Sequence, residues 1–148
     1  MIIKKVTKKD SLEIWSWRND KKTIFFSKNI KKINLEDHSK WFIKNLSNSK
    51  IKFYIGSLIN KKKVGIVRFD IKNKYALVSI NLNPTMRGKK LSYILLEAAL
   101  NKFLRSKKIK LLAEVKKNNL ASISCFLKKK FYLLKSNSQY NFYQRSLG

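Results

Sequence analysis

The sequence is poor in the residues that build disulfides, metal sites and flexible linkers. Its 148 residues include one cysteine, one histidine, one proline and four glycines. A lone cysteine, Cys125, excludes an internal disulfide, and one thiol with one histidine argues against a Cys/His metal site. We therefore expect no metal. With little Pro or Gly and no internal repeat, the chain predicts a single domain over residues 1–148.

Long apolar runs are also missing. The opening residues, MIIKKVTKKD, lack the apolar stretch of a signal peptide. No run approaches the ~20 apolar residues that span a bilayer. We therefore expect a soluble, cytoplasmic protein without a membrane partner.

Acidic residues are scarce: 8 Asp and Glu stand against 35 Lys and Arg, which gives a formal net charge of +27. Such a field attracts polyanions, including nucleic acid and phosphorylated metabolites. Arginine, whose planar fork is preferred for reading bases, is rare beside lysine. We interpret the charge as a solvated lysine surface and expect no specific nucleic acid partner; a homodimer is left open.

What is present is a regular alternation of apolar patterns. A strand is predicted at residues 1–6. A helix follows from residues 9–11 to the WRND segment, with Leu12, Trp15 and Trp17 toward the core. Residues 21–33 are predicted to be irregular, a lid or substrate loop. Asn34 caps a second helix, LEDHSKWFIKNL, whose core face is predicted to hold Leu35, Ser39, Phe42 and Leu46.

From residue 51 onward the pattern changes to strands. Three strands in a meander are predicted at 51–59, 63–71 and 75–82. A helix at 92–104, a strand at 109–115, a helix at 118–130 and strands at 131–134 and 141–147 complete the chain. A meander with crossover helices predicts an α/β fold of the α+β type, with a central mixed, mostly antiparallel sheet and helices on both faces.

The segment INLNPTMRGKKLS joins a strand to a helix with almost no gap. The first amides of a helix have no partner within it, and they carry the positive end of the helix dipole. Gly88 permits a close backbone approach, while Arg87, Lys89 and Lys90 add positive charge. The segment therefore favours binding of a phosphate or diphosphate, although basic turns are also common in so lysine-rich a chain.

This segment resembles the pyrophosphate loop of the GNAT acetyltransferases. Leu82, Asn83 and Pro84 match the stretch that ends the family's preceding strand, Arg87 matches the first loop position, and Lys90 and Ser92 stand at its glycine positions. Downstream, AEVKKNNLASISCFLKKKFY resembles the family's strand, Asn-containing turn and helix. The resemblance implies the GNAT acyl-CoA N-acyltransferase fold and acetyl-CoA as cosubstrate.

The resemblance also implies residue roles. Backbone amides from Arg87 to Ser92, Leu91 included, would hold the pyrophosphate, and the amide of Leu82 would bond the thioester carbonyl. Asn119, Ser122 and Phe126 would complete the cofactor site. Phe126 stands where many members carry the tyrosine that protonates the departing thiolate. Either Ser122, Ser124, water or another tyrosine donates that proton, or the thiolate leaves unassisted. Lys90 is tolerable at a loop glycine position if its backbone keeps a negative φ. Lys130 replaces a later glycine, at a helix C-terminus.

Few residues can serve as the base that deprotonates the amine, because the chain has eight acids and one histidine. Glu114 and His38 are the leading candidates for this base. Asp70 is the third, either as a base or as a residue that binds the acceptor. Each has a structural alternative, as an outward strand residue, a surface helix residue or a turn residue. Trp17, Arg18, Asn19 and Arg68 are predicted to line the acceptor pocket.

The N-terminal half looks like the acetyltransferases of nucleotide-linked amino sugars in the pseudaminic acid pathway. The segments WRND, LEDHSKWFIKNL, VGIVRFD and VSINLNPTMRGK carry this likeness. It implies acetyl transfer to the amine of a small-molecule sugar of the UDP-4-amino-4,6-dideoxy-sugar type. Similar segments occur in ribosomal-protein N-terminal acetyltransferases, which is the first alternative. A non-catalytic polyanion-binding domain of the same fold is the second.

Overall fold

A seven-stranded sheet organises the chain in the computed structural model, which describes residues 1–146. Its strands run in the order β1-β2-β3-β4-β5-β7-β6. All neighbours pair antiparallel except β4 and β5, which are parallel. The strands are β1 (Ile2–Lys5), β2 (Ile51–Ser57), β3 (Lys63–Ile71), β4 (Tyr75–Leu82), β5 (Lys110–Lys116), β6 (Tyr132–Ser136) and β7 (Tyr140–Arg145). This confirms the predicted mixed, mostly antiparallel sheet.

Within residues 1–146, five α-helices connect the strands. They are α1 (Ser11–Arg18), α2 (Lys21–Phe26), α3 (Leu35–Leu46), α4 (Ser92–Ser106) and α5 (Leu120–Lys128), with short 3-10 turns at Lys8–Asp10 and Pro84–Met86. The predicted bounds of β3, β4 and α3 agree with the structure, as does the predicted cap of α3 at Asn34. The other predicted elements shift by a few residues at their ends. Leu147, which closes the last predicted strand, lies outside the described residues.

Period-2 alternation in the strands divides the core between the two faces of the sheet. Tyr54, Val67 and Phe69 turn to one face, where they pack with the buried side of α4. Phe69 stacks on Phe103 of that helix, with ring centroids 4.1 Å apart. The intervening residues of β2 and β3 turn to the other face and pack against α1 and α3: Phe53, Ile55, Ile66, Ile14, Trp17 and Phe42. Helices therefore cover both faces, as predicted.

Close packing of α4 on the sheet depends on two glycines in neighbouring strands. A Cβ at Gly65 would lie 2.5 Å from the carbonyl oxygen of Asn81 and 3.0 Å from Cδ2 of Leu95. A Cβ at Gly56 would meet Cδ1 of the same leucine. These two glycines let α4 pack close to β2 and β3, and Gly65 also lets β4 lie close beside β3.

Three local predictions were wrong. Residues 21–26 form α2, because the Asp20 carboxylate accepts hydrogen bonds from the amides of Lys22 and Thr23 and caps the helix. In α1, Leu12 is 60% exposed, and Ile14 takes the buried position beside Trp17.

The third error concerns one residue of α3. The predicted core face is present, with Phe42 buried and Ser39 and Leu46 half-buried, but Leu35 is 43% exposed. His38 is also buried, and its Nε2 lies 3.1 Å from the carbonyl oxygen of Ser11 at the start of α1.

Candidate active site

A cleft opens where β4 and β5 separate. The two strands pair only from Tyr75 to Leu77 on β4 and from Lys110 to Leu112 on β5. Beyond that point they diverge and line a cavity of about 770 Å³, to which β4 contributes every residue from 77 to 82. The predicted opening between VSINL and LLAEV is therefore present.

The backbone of β4 turns unpaired amides toward this cleft. Leu82 pairs with Gly65 on β3, and the amide of Asn83 donates to the carbonyl of Val64, at 2.8 Å. Successive amides of an extended strand point to opposite edges. The amide of Leu82 therefore points away from β3, toward the side where β5 has departed.

The loop from Arg87 to Leu91 leads from β4 into α4. Gly88 has a φ of 74° and Lys90 a φ of 57°. Lys90 therefore does not meet the condition of a negative φ, and a lysine occupies a left-handed conformation that glycine adopts without strain. Gly88, Lys90, Leu91 and Ser92 line the cavity, while the side chain of Lys89 is exposed.

The side chain of Arg87 makes a contact that the sequence did not reveal. Its Nη2 lies 2.5 Å from Oδ2 of Asp20 and donates to Oγ1 of Thr23 at 3.0 Å. The Arg87 guanidinium lowers the pKa of the Asp20 carboxyl. Arg87 thus ties the loop before α4 to the start of α2, and its guanidinium is already paired.

The far wall of the cavity is the start of α5. Asn119 caps this helix, since its side-chain oxygen accepts from the amide of Ser122, at 3.3 Å. Both residues line the cavity, and Cys125, one turn on, lines it too. Phe126 is buried and packs edge-on against Phe131 in the core. Burial raises the pKa of the Cys125 thiol.

Two carboxylates line the cavity, and each is paired with a cation. Glu114 on β5 lies 2.7 Å from Nζ of Lys28, and Asp70 on β3 lies 3.4 Å from Nη2 of Arg68. Lys28 was not predicted, because it comes from the segment after α2, 86 residues away in sequence from its partner.

His38 lines the same cavity from α3 and is 2% exposed. Its Nε2 lies 3.1 Å from the carbonyl oxygen of Ser11, and its ring stacks on Phe42 at 5.5 Å. Trp41, three residues on along the same helix, also lines the cavity and carries the Arg68 guanidinium over its ring at 5.4 Å. Sequence reasoning missed Trp41, although its helical spacing from His38 places the two side by side.

The predicted acceptor residues divide into two groups. Arg18 and Arg68 line the cavity. Trp17 is a buried core residue, 5% exposed. The Asn19 side chain donates to the carbonyl of Ile33 and accepts from its amide. These two hydrogen bonds hold the end of the segment that follows α2. Neither Trp17 nor Asn19 is part of the cavity wall formed by the described residues.

Comparison with known proteins defines the class to which this fold and cleft belong. The sequence profile of the acetyltransferase (GNAT) family matches residues 12–131, which is most of the chain. The protein therefore belongs to the GNAT family and is an acetyl-CoA-dependent N-acetyltransferase. That activity replaces the non-catalytic alternative. A comparison with curated protein sequences gives no significant match.

Solved structures of this fold are similar over nearly the whole chain. A domain from Methanocaldococcus jannaschii has a TM-score of 0.84 at 22% identity, with 99% of this chain and 97% of that one covered. The Campylobacter jejuni N-acetyltransferase PseH gives 0.76 at 17%, with 99% and 98% covered. A Vibrio cholerae spermidine N-acetyltransferase, solved with CoA and spermine, gives 0.83 at 13%, with 97% and 92% covered. At such identities these structures establish the fold.

Within residues 1–146, no helix has the length and apolar character required to cross a membrane.

Proposed function

We propose that the protein acetylates the amino group of a nucleotide-linked amino sugar of the kind made in pseudaminic acid biosynthesis. The charge of the cavity carries this proposal. Six cationic side chains of the described residues line it, against the two carboxylates Asp70 and Glu114; the cations are Arg18, Lys22, Lys28, Arg68, Arg87 and Lys90. Such a cavity repels a polycationic amine and favours an acceptor that carries phosphate.

Two arginines have buried nitrogens that lack a partner among the described residues. These are Nη1 of Arg18 and Nε of Arg68. A buried donor without a partner costs about 1–3 kcal/mol. Both side chains line the cavity, and arginine is suited to bidentate phosphate contacts.

The position of Arg68 separates this anion site from the loop before α4. Arg68 pairs with Ser79, three residues along the ladder from the Gly65–Leu82 pair. At about 3.3 Å per residue, Arg68 lies roughly 10 Å from Leu82, on the side away from the loop. The guanidinium also stacks on Trp41, which is 39% exposed and offers a surface for a nucleobase.

We expect acetyl-CoA to bind at the opposite end of the cavity. The amides between Gly88 and Ser92 and the start of α4 would hold its pyrophosphate. The amide of Leu82 would donate to the thioester carbonyl as negative charge develops there. The acceptor nitrogen forms a bond to the carbonyl carbon, the carbon–sulfur bond breaks, and the thiolate leaves with the electron pair. Direct attack requires no covalent enzyme intermediate, so orientation by the cleft supplies much of the rate.

The test is product identification by mass spectrometry, with thiol release as the rate assay. Acceptors are a UDP-linked amino sugar, N-terminal peptides of ribosomal proteins, and spermidine. We expect an N-acetylated sugar nucleotide. Arg68→Lys should raise the KM for the sugar about 10- to 100-fold, because it loses charged hydrogen bonds worth about 1.5–3 kcal/mol. The exposed Arg105→Lys is the matched control. Acetylation of peptides but not of the sugar would contradict the proposal and favour a protein N-terminal acetyltransferase.

A further inference from the structure

We infer that His38 is the general base of the transfer and that it takes the proton from the acceptor ammonium through Nδ1. The inference rests on the proposed acetyl transfer, but it does not depend on which amine is the acceptor. Three residues of the cavity wall are candidates for the base: His38, Asp70 and Glu114. The hydrogen-bonding state of each separates them.

The tautomer of His38 follows from its contact with α1. Nε2 lies 3.1 Å from the carbonyl oxygen of Ser11. A carbonyl oxygen accepts hydrogen bonds and donates none, so Nε2 carries the proton of the neutral imidazole. Nδ1 is then left with a lone pair, which is what a general base requires.

Nδ1 is available from the cavity. Nδ1 makes no hydrogen bond within residues 1–146. It is also not one of the fully buried nitrogens there that lack a partner, so it keeps some accessible surface. Because His38 lines the cavity and is otherwise buried, the cavity is the space that Nδ1 faces.

The surroundings of the ring keep it neutral. Phe42 and Trp41 lie against it, with ring centroids at 5.5 Å and 5.8 Å. The charged pair behind the Trp41 ring is Arg68 with Asp70. Burial holds the pKa of His38 below its ordinary value, and the Ser11 carbonyl opposes that change only in part. The imidazole is therefore unprotonated and active at neutral pH.

The two carboxylates are less suited to the task. Glu114 is held by Lys28 at 2.7 Å and Asp70 by Arg68 at 3.4 Å. Protonation of either would give up an existing ion pair with a cation, whereas protonation of His38 at Nδ1 gives up no bond to the protein. These acids are better placed to orient Lys28 and Arg68.

The proton balance of the step is simple. Amines are mostly protonated at neutral pH, with pKa values of about 8–10 in model groups. Nδ1 of His38 accepts one proton from the ammonium and passes it to solvent, and the neutral amine attacks the thioester carbon. The attacking nitrogen then carries one proton more than the amide product, and it gives that proton to Nδ1 as the carbon–sulfur bond breaks. The departing thiolate takes the electron pair of that bond, and the imidazolium returns the proton to the thiolate or to solvent.

The first test needs no acceptor. His38 is the only histidine in the sequence, so a ¹⁵N-detected NMR titration of the imidazole has one signal to assign. We expect the Nε2–H tautomer at neutral pH and a pKa below that of a histidine in an unfolded peptide. An Nδ1–H tautomer, or an imidazolium at neutral pH, would overturn the inference.

The second test is kinetic and uses whichever amine the wild type acetylates. In His38→Gln the side-chain amide can still donate to the Ser11 carbonyl, but no base remains. We expect kcat/KM to fall about 100- to 10,000-fold near neutral pH, with acetyl-CoA affinity and folding unchanged. The deficit should shrink at high pH, where the amine loses its proton to water. The exposed Lys40→Gln on the same helix is the control.

Retention of wild-type kcat/KM by His38→Gln, or a deficit that does not change with pH, would refute the role. These outcomes are separate from a failure of the proposed substrate. A wild type that acetylates another amine but not the sugar nucleotide would defeat the proposed function and leave the test of His38 intact.

Discussion

The amide of Leu82 can be removed without cutting a hydrogen bond of the sheet. The amide of Asn83 binds β3, so the preceding amide points into the cleft. Proline lacks this donor and is tolerated where a strand's N–H is not paired with a neighbour. Asn81 is extended, as the residue before a proline must be. Leu82→Pro is therefore a test of one donor.

The expected cost comes from the transition state. Loss of one donor to the developing oxyanion typically lowers kcat about 100- to 1000-fold, or about 2.7–4 kcal/mol. Acetyl-CoA binding should change little, because this donor acts mainly as charge builds up. Leu82→Ala is the matched control, since it loses the same partly buried side chain and keeps the amide.

The assay is kcat from thiol release, with urea unfolding of both variants to compare their stability. We expect the kcat of Leu82→Pro to lie about 100-fold below that of Leu82→Ala, at the lower end of this range. Equal kcat values in two equally folded variants would refute the assignment of this amide to the oxyanion.

Two further predictions concern stability, measured by urea unfolding. Lys130 has a φ of 66° just after α5, so Lys130→Gly should raise the free energy of unfolding by about 1 kcal/mol. Lys129 has a φ of −103°, so Lys129→Gly should lower that free energy. A lower free energy of unfolding in Lys130→Gly would contradict backbone strain at this position. Gly65→Ala would press a Cβ on the Asn81 carbonyl, 2.5 Å away, and should cost about 1–3 kcal/mol and lower kcat by moving the end of β4; an unchanged midpoint would contradict the close packing.

Local patterns predicted the strands well because the sheet obeys local rules. β3 is buried on both faces from Val64 to Val67, and β4 alternates between buried Ala76 and Val78 and more exposed neighbours. Both patterns are typical of strands, and the predicted bounds at 63–71 and 75–82 hold. The sequence also predicted one wall of the cleft. Because β4 leads almost directly into α4, the unpaired first amides of α4 lie together at the end of the strand.

Contacts between distant residues account for what the sequence did not reveal. α2 is short, and its cap Asp20 is also bound by Arg87, 67 residues later. The contact between His38 and the carbonyl of Ser11 likewise joins residues 27 apart in the sequence. The spacing of apolar residues cannot predict these two pairs. They form only when the folded sheet brings α1, α2 and the loop before α4 together.

We propose that the cleft between β4 and β5, closed by the loop from Arg87 to Ser92, binds acetyl-CoA. Isothermal titration calorimetry at moderate salt measures this binding, with tripolyphosphate as the charge control. We expect acetyl-CoA to bind saturably and clearly more tightly than tripolyphosphate, and to bind more weakly in Arg87→Glu, which breaks the pair with Asp20 and reverses the charge of the loop. Binding no tighter than that of tripolyphosphate, and unchanged in the variant, would show that the loop is not the acetyl-CoA site.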